Sequence, residues 1–311
     1  MFSRYCRSVL SVPATAPERF ASCHASGADA FVVDLEDSVP PHRKEEARQS
    51  AAAFFKDPSS PRCGIRVNAV TEPDGLRDLL AVPHYPVRPT IVHLPKVESP
   101  RDVEIVDQVL GGADHPLELF AVVETPRGVQ NLAAIAGASP NLRGLIFGAA
   151  DYAAALGIGL DWEPLAAVRA MVVNAARAAG LHAIDAPTFE LVDMALVRAE
   201  STQARRLGFS GKIALHPRQV PVLTEVFSPD PDQLAHAGRI VAAARRSGQG
   251  VATVDGRMVG RPFFEESRRL LEEFGPPPEP SSIPVALPPP LPEHDPQTAL
   301  PLLPNPHGGV R

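Results

Sequence analysis

Acidic residues stand at the downstream ends of successive apolar runs in this 311-residue chain. Glu36 and Asp37 end one run, Glu124 ends another, and Asp151 follows Gly148-Ala-Ala after a third. Asp185 closes a later one. Basic and polar groups occupy equivalent places: Arg66 and Asn68, Lys96 beside Glu98, and His216. This set is rich in carboxylates, with one His and no Cys. Oxygen donors suit a hard divalent cation, so Mg²⁺ is expected rather than Zn²⁺. Two carboxylates on neighbouring strands, with waters and substrate oxygens, would complete its coordination. An arginine close by would hold a substrate carboxylate through two parallel hydrogen bonds. The chemistry implied is the making or breaking of a carbon–carbon bond through an enolate, with the cation stabilising oxyanion charge. No Schiff-base lysine is needed.

Each residue also has a purely structural alternative. Carboxylates at strand ends commonly cap the next helix. Arg66 can pair with Glu36 or Asp37 simply to hold the fold, and Asp185 and His216 can serve to fasten loops. Glu98 lies inside a capping sequence, and Lys96 can support a carboxylate from behind. The functional reading is favoured because all of them are expected at one end of the same fold.

The elements that would bring them there are eight β-branched runs, at residues 8–12, 31–35, 65–68, 90–94, 119–123, 145–147, 182–184 and 212–215. Each precedes a segment with helical pattern or helix-start signals. Apolar strands alternating with helices imply a parallel sheet. Eight such units within about 220 residues predict a (β/α)₈ TIM barrel, whose active sites lie at the C-terminal strand ends. Thr15-Ala-Pro-Glu18 and Ser99-Pro-Arg-Asp102 have capping-box form with proline in the first turn. Thr125-Pro126 and His216-Pro217 also place proline where a helix tolerates it, and the Ala-rich residues 165–179 favour a helix. Past the eighth unit, a helix is expected over 231–246, an extended piece over 251–254 and a last helix over 262–274. The division predicted is a barrel at 1–228, a helical lid appendage at 229–274 and a tail at 275–311. That tail holds 13 of the 35 prolines and is expected to be disordered or polyproline-like. A proline-reading module is the partner class it could engage, although a solvated tail without a partner is the simpler expectation.

Composition narrows the function classes. Hydrophobic residues make up 44% and charged residues 21%, and the net charge is −6. Nothing here attracts nucleic acid or a membrane surface, and no run approaches the ~18 apolar residues of a membrane span. The run after Arg4 and Arg7 is too short and too broken by Ser and Pro for a secretion signal, and reads as the first strand. Cys6, Cys23 and Cys63 have no metal-binding spacing, and buried thiols in a reduced, cytoplasmic setting are expected.

A set of motifs in fixed order adds a resemblance. Arg7-Ser-Val-Leu-Ser-Val-Pro13, Asp34-Leu-Glu-Asp-Ser-Val39, Arg66-Val-Asn68, Leu94-Pro-Lys-Val-Glu98, Glu124-Thr-Pro-Arg-Gly128, Gly148-Ala-Ala-Asp-Tyr152 and His216-Pro-Arg-Gln219 resemble the HpcH/HpaI aldolase and citrate lyase β-subunit family. Pro17-Glu-Arg-Phe20 and Gly208-Phe-Ser-Gly-Lys212 belong to the same series, and the match runs from about Arg7 to Phe274. The resemblance implies a Mg²⁺-dependent lyase in a trimer or hexamer. Its substrates would be citryl-, malyl- or citramalyl-CoA or a related 2-keto-4-hydroxy acid. It further implies Glu124 and Asp151 as metal ligands and Arg66 as the grip on the keto-acid carboxylate. Glu36 and Asp37 would order metal-bound water or act from the layer behind, while Pro13 and Lys96 would line the mouth. Two departures stand out. Ala14 follows Pro13 where the family usually has glycine. Asp255-Gly-Arg-Met-Val-Gly260 resembles the family's lid motif, which normally ends in an aspartate reaching a neighbouring subunit's site. Glycine at 260 cannot transfer a proton; Asp255 and Glu265 are the nearby acids that could substitute. A thioesterase on the same substrates and a non-catalytic assembly subunit are the competing functions.

Overall fold

All eight apolar runs become strands: β1 (Ser8–Pro13), β2 (Ala30–Asp34), β3 (Cys63–Arg66), β4 (Ile91–Leu94), β5 (Glu118–Val123), β6 (Leu142–Phe147), β7 (His182–Asp185) and β8 (Gly211–Ala214). They are parallel and bonded in sequence order, and β8 closes on β1 to complete a barrel. The computed structural model describes residues 6–56, 62–112, 116–248 and 250–275. The runs are continuously apolar because both faces are buried. One set of alternate residues, including Val9, Val32, Ile91, Phe120, Ile146 and Ile184, fills the barrel. The other set, including Leu10, Val33, Ile65, Val92, Leu119 and Leu145, packs beneath the helices.

Local signals explain most helix starts. Ser99 and Asp102 form the expected capping box on helix Pro100–Leu110, and the Thr125 hydroxyl accepts the Gly128 N–H at 3.0 Å. The 165–179 expectation falls almost wholly within helix Trp162–Ala178. Thr15 is different. The Ala16 N–H donates to the Pro13 carbonyl, so Thr15 is used in the turn leaving β1, and a 3₁₀ turn at Pro17–Arg19 precedes helix Phe20–His24 without a side-chain cap. At the other end, Pro217 lies in the turn before helix Gln219–Val226 rather than inside it.

Beyond the barrel, helix Pro231–Arg246 starts with an Asp230/Gln233 capping box, and helix Arg261–Phe274 ends the described chain. The single extended piece expected between them is one arm of a hairpin. β9 (Ala252–Val254) pairs antiparallel with β10 (Arg257–Val259) across Asp255-Gly256, both at positive φ (49° and 76°), the conformation that Asp-Gly favours in two-residue hairpin loops. Hairpin and helices share a small core of their own around Ile240, Val254, Val259 and Phe264. The expected tail, from residue 276 onward, lies outside the described residues. Among the described residues no helix is long and apolar enough to cross a membrane.

Candidate active site at the barrel mouth

The strand pleat decides which polar residues face the axis. On β2, Ala30 and Val32 point inward, so Asp34 does too. Asp34 is buried and accepts Nε and Nη2 of Arg66, each at 2.6 Å. It also accepts the Glu36 N–H at 2.9 Å and the Ser38 hydroxyl. Burial opposes its charge, but the guanidinium and the hydrogen bonds outweigh that cost and hold the carboxyl down at about 2. Arg66 Nη1 stands 3.1 Å from Glu36 Oε2, a charge contact without hydrogen-bond alignment, since that buried oxygen has no hydrogen-bond partner. With Nε and one Nη2 hydrogen committed to Asp34, the end-on edge of the guanidinium remains for a ligand.

Lys96 bonds to three acids. It follows β4 with φ of 52°, unusual for a non-glycine residue. Its backbone N–H donates to Glu124 Oε1 at 2.7 Å. Its ammonium donates to Glu36 Oε1 at 2.7 Å and to Asp37 Oδ1 at 3.4 Å. Glu124, just past β5, is buried. Burial, followed by the charges of Glu36 and Asp151, pushes its carboxyl up to about 8. A Cβ at Gly148 would sit 2.3 Å from Glu124 Oε2, so only glycine leaves that oxygen room. Gly148 opens helix Ala149–Leu156, whose first turn carries Asp151. Asp151 is pushed up by burial and by Asp37, and Glu36 chiefly by burial.

Glu36, Glu124 and Asp151 are thus a surplus of negative charge around a cavity of about 280 Å³. Arg66, Asp37, Glu124 and Asp151 line this cavity, with Phe189 and Leu215 on one side. The donor set fits a hard cation. The oxygens are carboxylate, and burial, with neighbouring carboxylates adding to it, raises Glu124 and Asp151, so a cation there would offset a real cost. Among the described residues no cluster of three or more His, Cys, Asp and Glu could hold an ion alone. Two carboxylates completed by non-protein oxygens are what the mouth offers, and that is the magnesium pattern.

Not every expected residue is at the cavity. Glu36 and Lys96 stand just behind its lining, and Pro13 ends β1 opposite Asp34 in register without lining it. Asp185 belongs elsewhere. Ile184 is the inward residue of β7, so Asp185 points to the helix layer, where it accepts Arg169 Nε at 2.9 Å and Lys212 Nζ at 2.8 Å. Asn68 is bonded to the Leu35 carbonyl and Asp78, and His216 Nδ1 accepts the Arg218 N–H inside its own turn. Glu98 donates its N–H to Asp102 Oδ2 at 2.8 Å within the cap of the next helix, and its carboxylate lies 3.7 Å from Arg127. Both proposed substitutes for a lid acid are engaged in surface ion pairs: Asp255 with His236 and Arg239, Glu265 with Arg261. Asp34, and the cavity residues Ser11 and His93, were not singled out from the sequence.

Known proteins are similar to this chain in sequence and in fold. Residues 7–217 match the family model described as HpcH/HpaI aldolase/citrate lyase. A citrate lyase subunit beta-like protein of Mycobacterium tuberculosis is 35% identical over 273 residues, covering 86% of this chain and 94% of the relative. A (3S)-malyl-CoA thioesterase of Cereibacter sphaeroides is 35% identical over 272 residues, covering 85% and 93%. The crystal structure of CitE from M. tuberculosis with magnesium, acetoacetate and coenzyme A superposes with a TM-score of 0.75 at 33% identity, covering 88% of this chain and 100% of that one.

Proposed function

We propose that this chain, which belongs to the HpcH/HpaI aldolase/citrate lyase family, is a Mg²⁺-dependent carbon–carbon lyase that releases a 2-keto acid from a 3-hydroxyacyl-CoA thioester or a related 2-keto-4-hydroxy acid. The observation that carries this is the pair Glu124 and Asp151 facing one cavity beside the free edge of Arg66. Relatives named as a citrate lyase subunit and a malyl-CoA thioesterase, and a similar structure holding magnesium, acetoacetate and coenzyme A, support it.

Glu124 and Asp151 would hold the ion. When bound, Mg²⁺ supplies Lewis-acid stabilisation of oxyanion charge on the keto-acid half. Arg66 orients that half through its carboxylate, with Asp34 fixing the guanidinium plane. The bond between the thioester α-carbon and the carbinol carbon breaks. The carbinol proton passes to Asp37, which lines the cavity at its solvent side. The bonding pair becomes the thioester enolate, and the proton held on Asp37 is returned to its carbon, so that the cleavage is proton-neutral overall. Keto acid and shortened thioester leave. Lys96, bonded to both Glu36 and Asp37, compensates their charge. By resemblance, the assembly is a trimer or hexamer in which the lid of one subunit covers the next.

The test is an assay of malyl-, citramalyl- and citryl-CoA with and without Mg²⁺, in which keto acid and free thiol are measured together. Keto acid appearing only with Mg²⁺ supports the lyase. Free thiol without keto acid would replace it with the thioesterase reading.

Gly260 bears on that same choice. Its φ is −137°, open to any residue, and nothing lies within 4 Å of a Cβ placed there. Gly260→Asp should therefore fold normally and restore an acid at the lid position. Thioester hydrolysis or condensation is expected to rise about 10²-fold, the low end of general acid–base contributions, with an unchanged melting temperature. An unchanged rate in the folded variant would mean that this lid does not reach a neighbouring site.

A further inference from the structure

Two polar side chains deep in the cavity take no part in the chemistry above. His93 on β4 lines the cavity, is 5% exposed, and sits in register beside Arg66. Its ring leans on Phe120, with centroids 5.4 Å apart. Among the hydrogen bonds of the described residues none engages its ring, nor the hydroxyl of Ser11, which lines the same cavity from β1. Buried polar groups are seldom left without a partner, and these two face open space rather than protein. Apart from Arg66 beside His93, the lining at this depth includes the apolar Val122, Ile146 and Ile213, each one pleat below the strand-end residues of the mouth.

We infer that Ser11 and His93 form a subsite for an uncharged hydrogen-bonding substituent, of the hydroxyl class, on carbon 3 of the keto-acid fragment. The inference rests on the lyase reading and specifies its substrate. The size of the pocket admits more than a hydrogen at that carbon, and two polar groups set among aliphatic ones would be left unpaired by a methyl. Charge argues against a second carboxylate. The mouth already gathers Asp34, Glu36, Asp37, Glu124 and Asp151, with Arg66 and Lys96 as the basic side chains paired to them among the described residues. Burial, reinforced by Arg66, keeps the imidazole neutral, with its pKa lowered to about 3. A neutral imidazole offers one donor and one acceptor, and with the serine hydroxyl it matches a group that both gives and takes a hydrogen bond.

The experiment is calorimetric titration of the full chain with Mg²⁺ present, using 3-hydroxypyruvate, pyruvate, glyoxylate and oxaloacetate. Wild type is expected to bind 3-hydroxypyruvate about tenfold tighter than pyruvate, and tighter than oxaloacetate, because a missing hydroxyl strands buried partners. In His93→Leu, near in volume, that preference should vanish while pyruvate affinity holds or improves. Ser11→Ala, a smaller perturbation, should narrow it. Binding of pyruvate or oxaloacetate ahead of 3-hydroxypyruvate in wild type overturns the inference, as does a preference that survives both substitutions. Failure of every keto acid to bind would instead overturn the lyase reading, and this subsite with it.

Discussion

Glu124→Gln is expected to lower Mg²⁺-dependent keto-acid release by about 10³-fold or more, since losing a metal ligand forfeits several kcal/mol of transition-state charge stabilisation. The same substitution should leave the metal-free protein at least as stable as wild type. The reason is the sign of the acidity shift. The Glu124 carboxyl is raised from 4.5 to about 8 by burial and neighbouring carboxylates, so the folded state holds its proton more tightly than the unfolded state. Its ionisation therefore costs stability progressively as pH rises through that interval. Gln fits the same space and carries no charge to bury. Thermal melts at pH 8 separate the roles: added Mg²⁺ should raise the wild-type midpoint and leave Glu124→Gln unmoved. A variant that keeps wild-type turnover, or is stabilised equally by Mg²⁺, would remove Glu124 from the metal site. An inactive protein more stable than its parent is the usual mark of a site strained for function.

Arg66→Met acts in the opposite direction on stability. It leaves Asp34 charged, buried and without its main partner, and breaking such a pair costs about 3–5 kcal/mol. It also removes the only guanidinium among the cavity-lining residues, so kcat/KM should fall by about 10³-fold, comparable to losing an electrostatic anchor of the transition state. Arg66→Met combined with Asp34→Asn should recover much of the stability and none of the activity, which separates the structural from the catalytic share. The wild type should show the linked acid limb. The Asp34 carboxyl is lowered from 3.8 to about 2, so its contribution is complete above the unfolded value and is lost as pH falls from 3.8 towards 2. That interval corresponds to about 2 kcal/mol. An Arg66→Met protein with an unchanged acid midpoint would mean that the pair contributes little.

The barrel was legible because its evidence is redundant. Each strand is buried on two faces and so reads as a nearly continuous apolar run, and several helix starts carry proline or a cap. The site was legible only in part. Strand ends located Glu124, Asp151, Arg66 and Asp37, because a chain leaving a strand stays near the mouth whichever way its side chain points. Direction is a matter of parity, and a continuously apolar strand hides its parity. That is why Asp185 was expected at the mouth though it faces Arg169 and Lys212 outside the barrel. For the same reason Asp34, the partner that holds Arg66, was passed over in favour of Glu36 and Asp37. The hairpin beyond the barrel was half read because each arm has only three residues. The Asp255-Gly256 pair was nonetheless a usable turn signal.

The left-handed backbone at Lys96 has a last consequence. One residue presents its amide to Glu124 and its ammonium to Glu36 and Asp37, so acids from two strands are registered against a single hinge in the chain. Glycine would relax the dihedral but forfeit the cation, and arginine would keep the charge on a longer, planar reach. Asparagine tolerates the dihedral yet carries no charge. No other side chain meets both demands, so the segment between β4 and the following helix cannot gain or lose a residue without unsettling both halves of the mouth together.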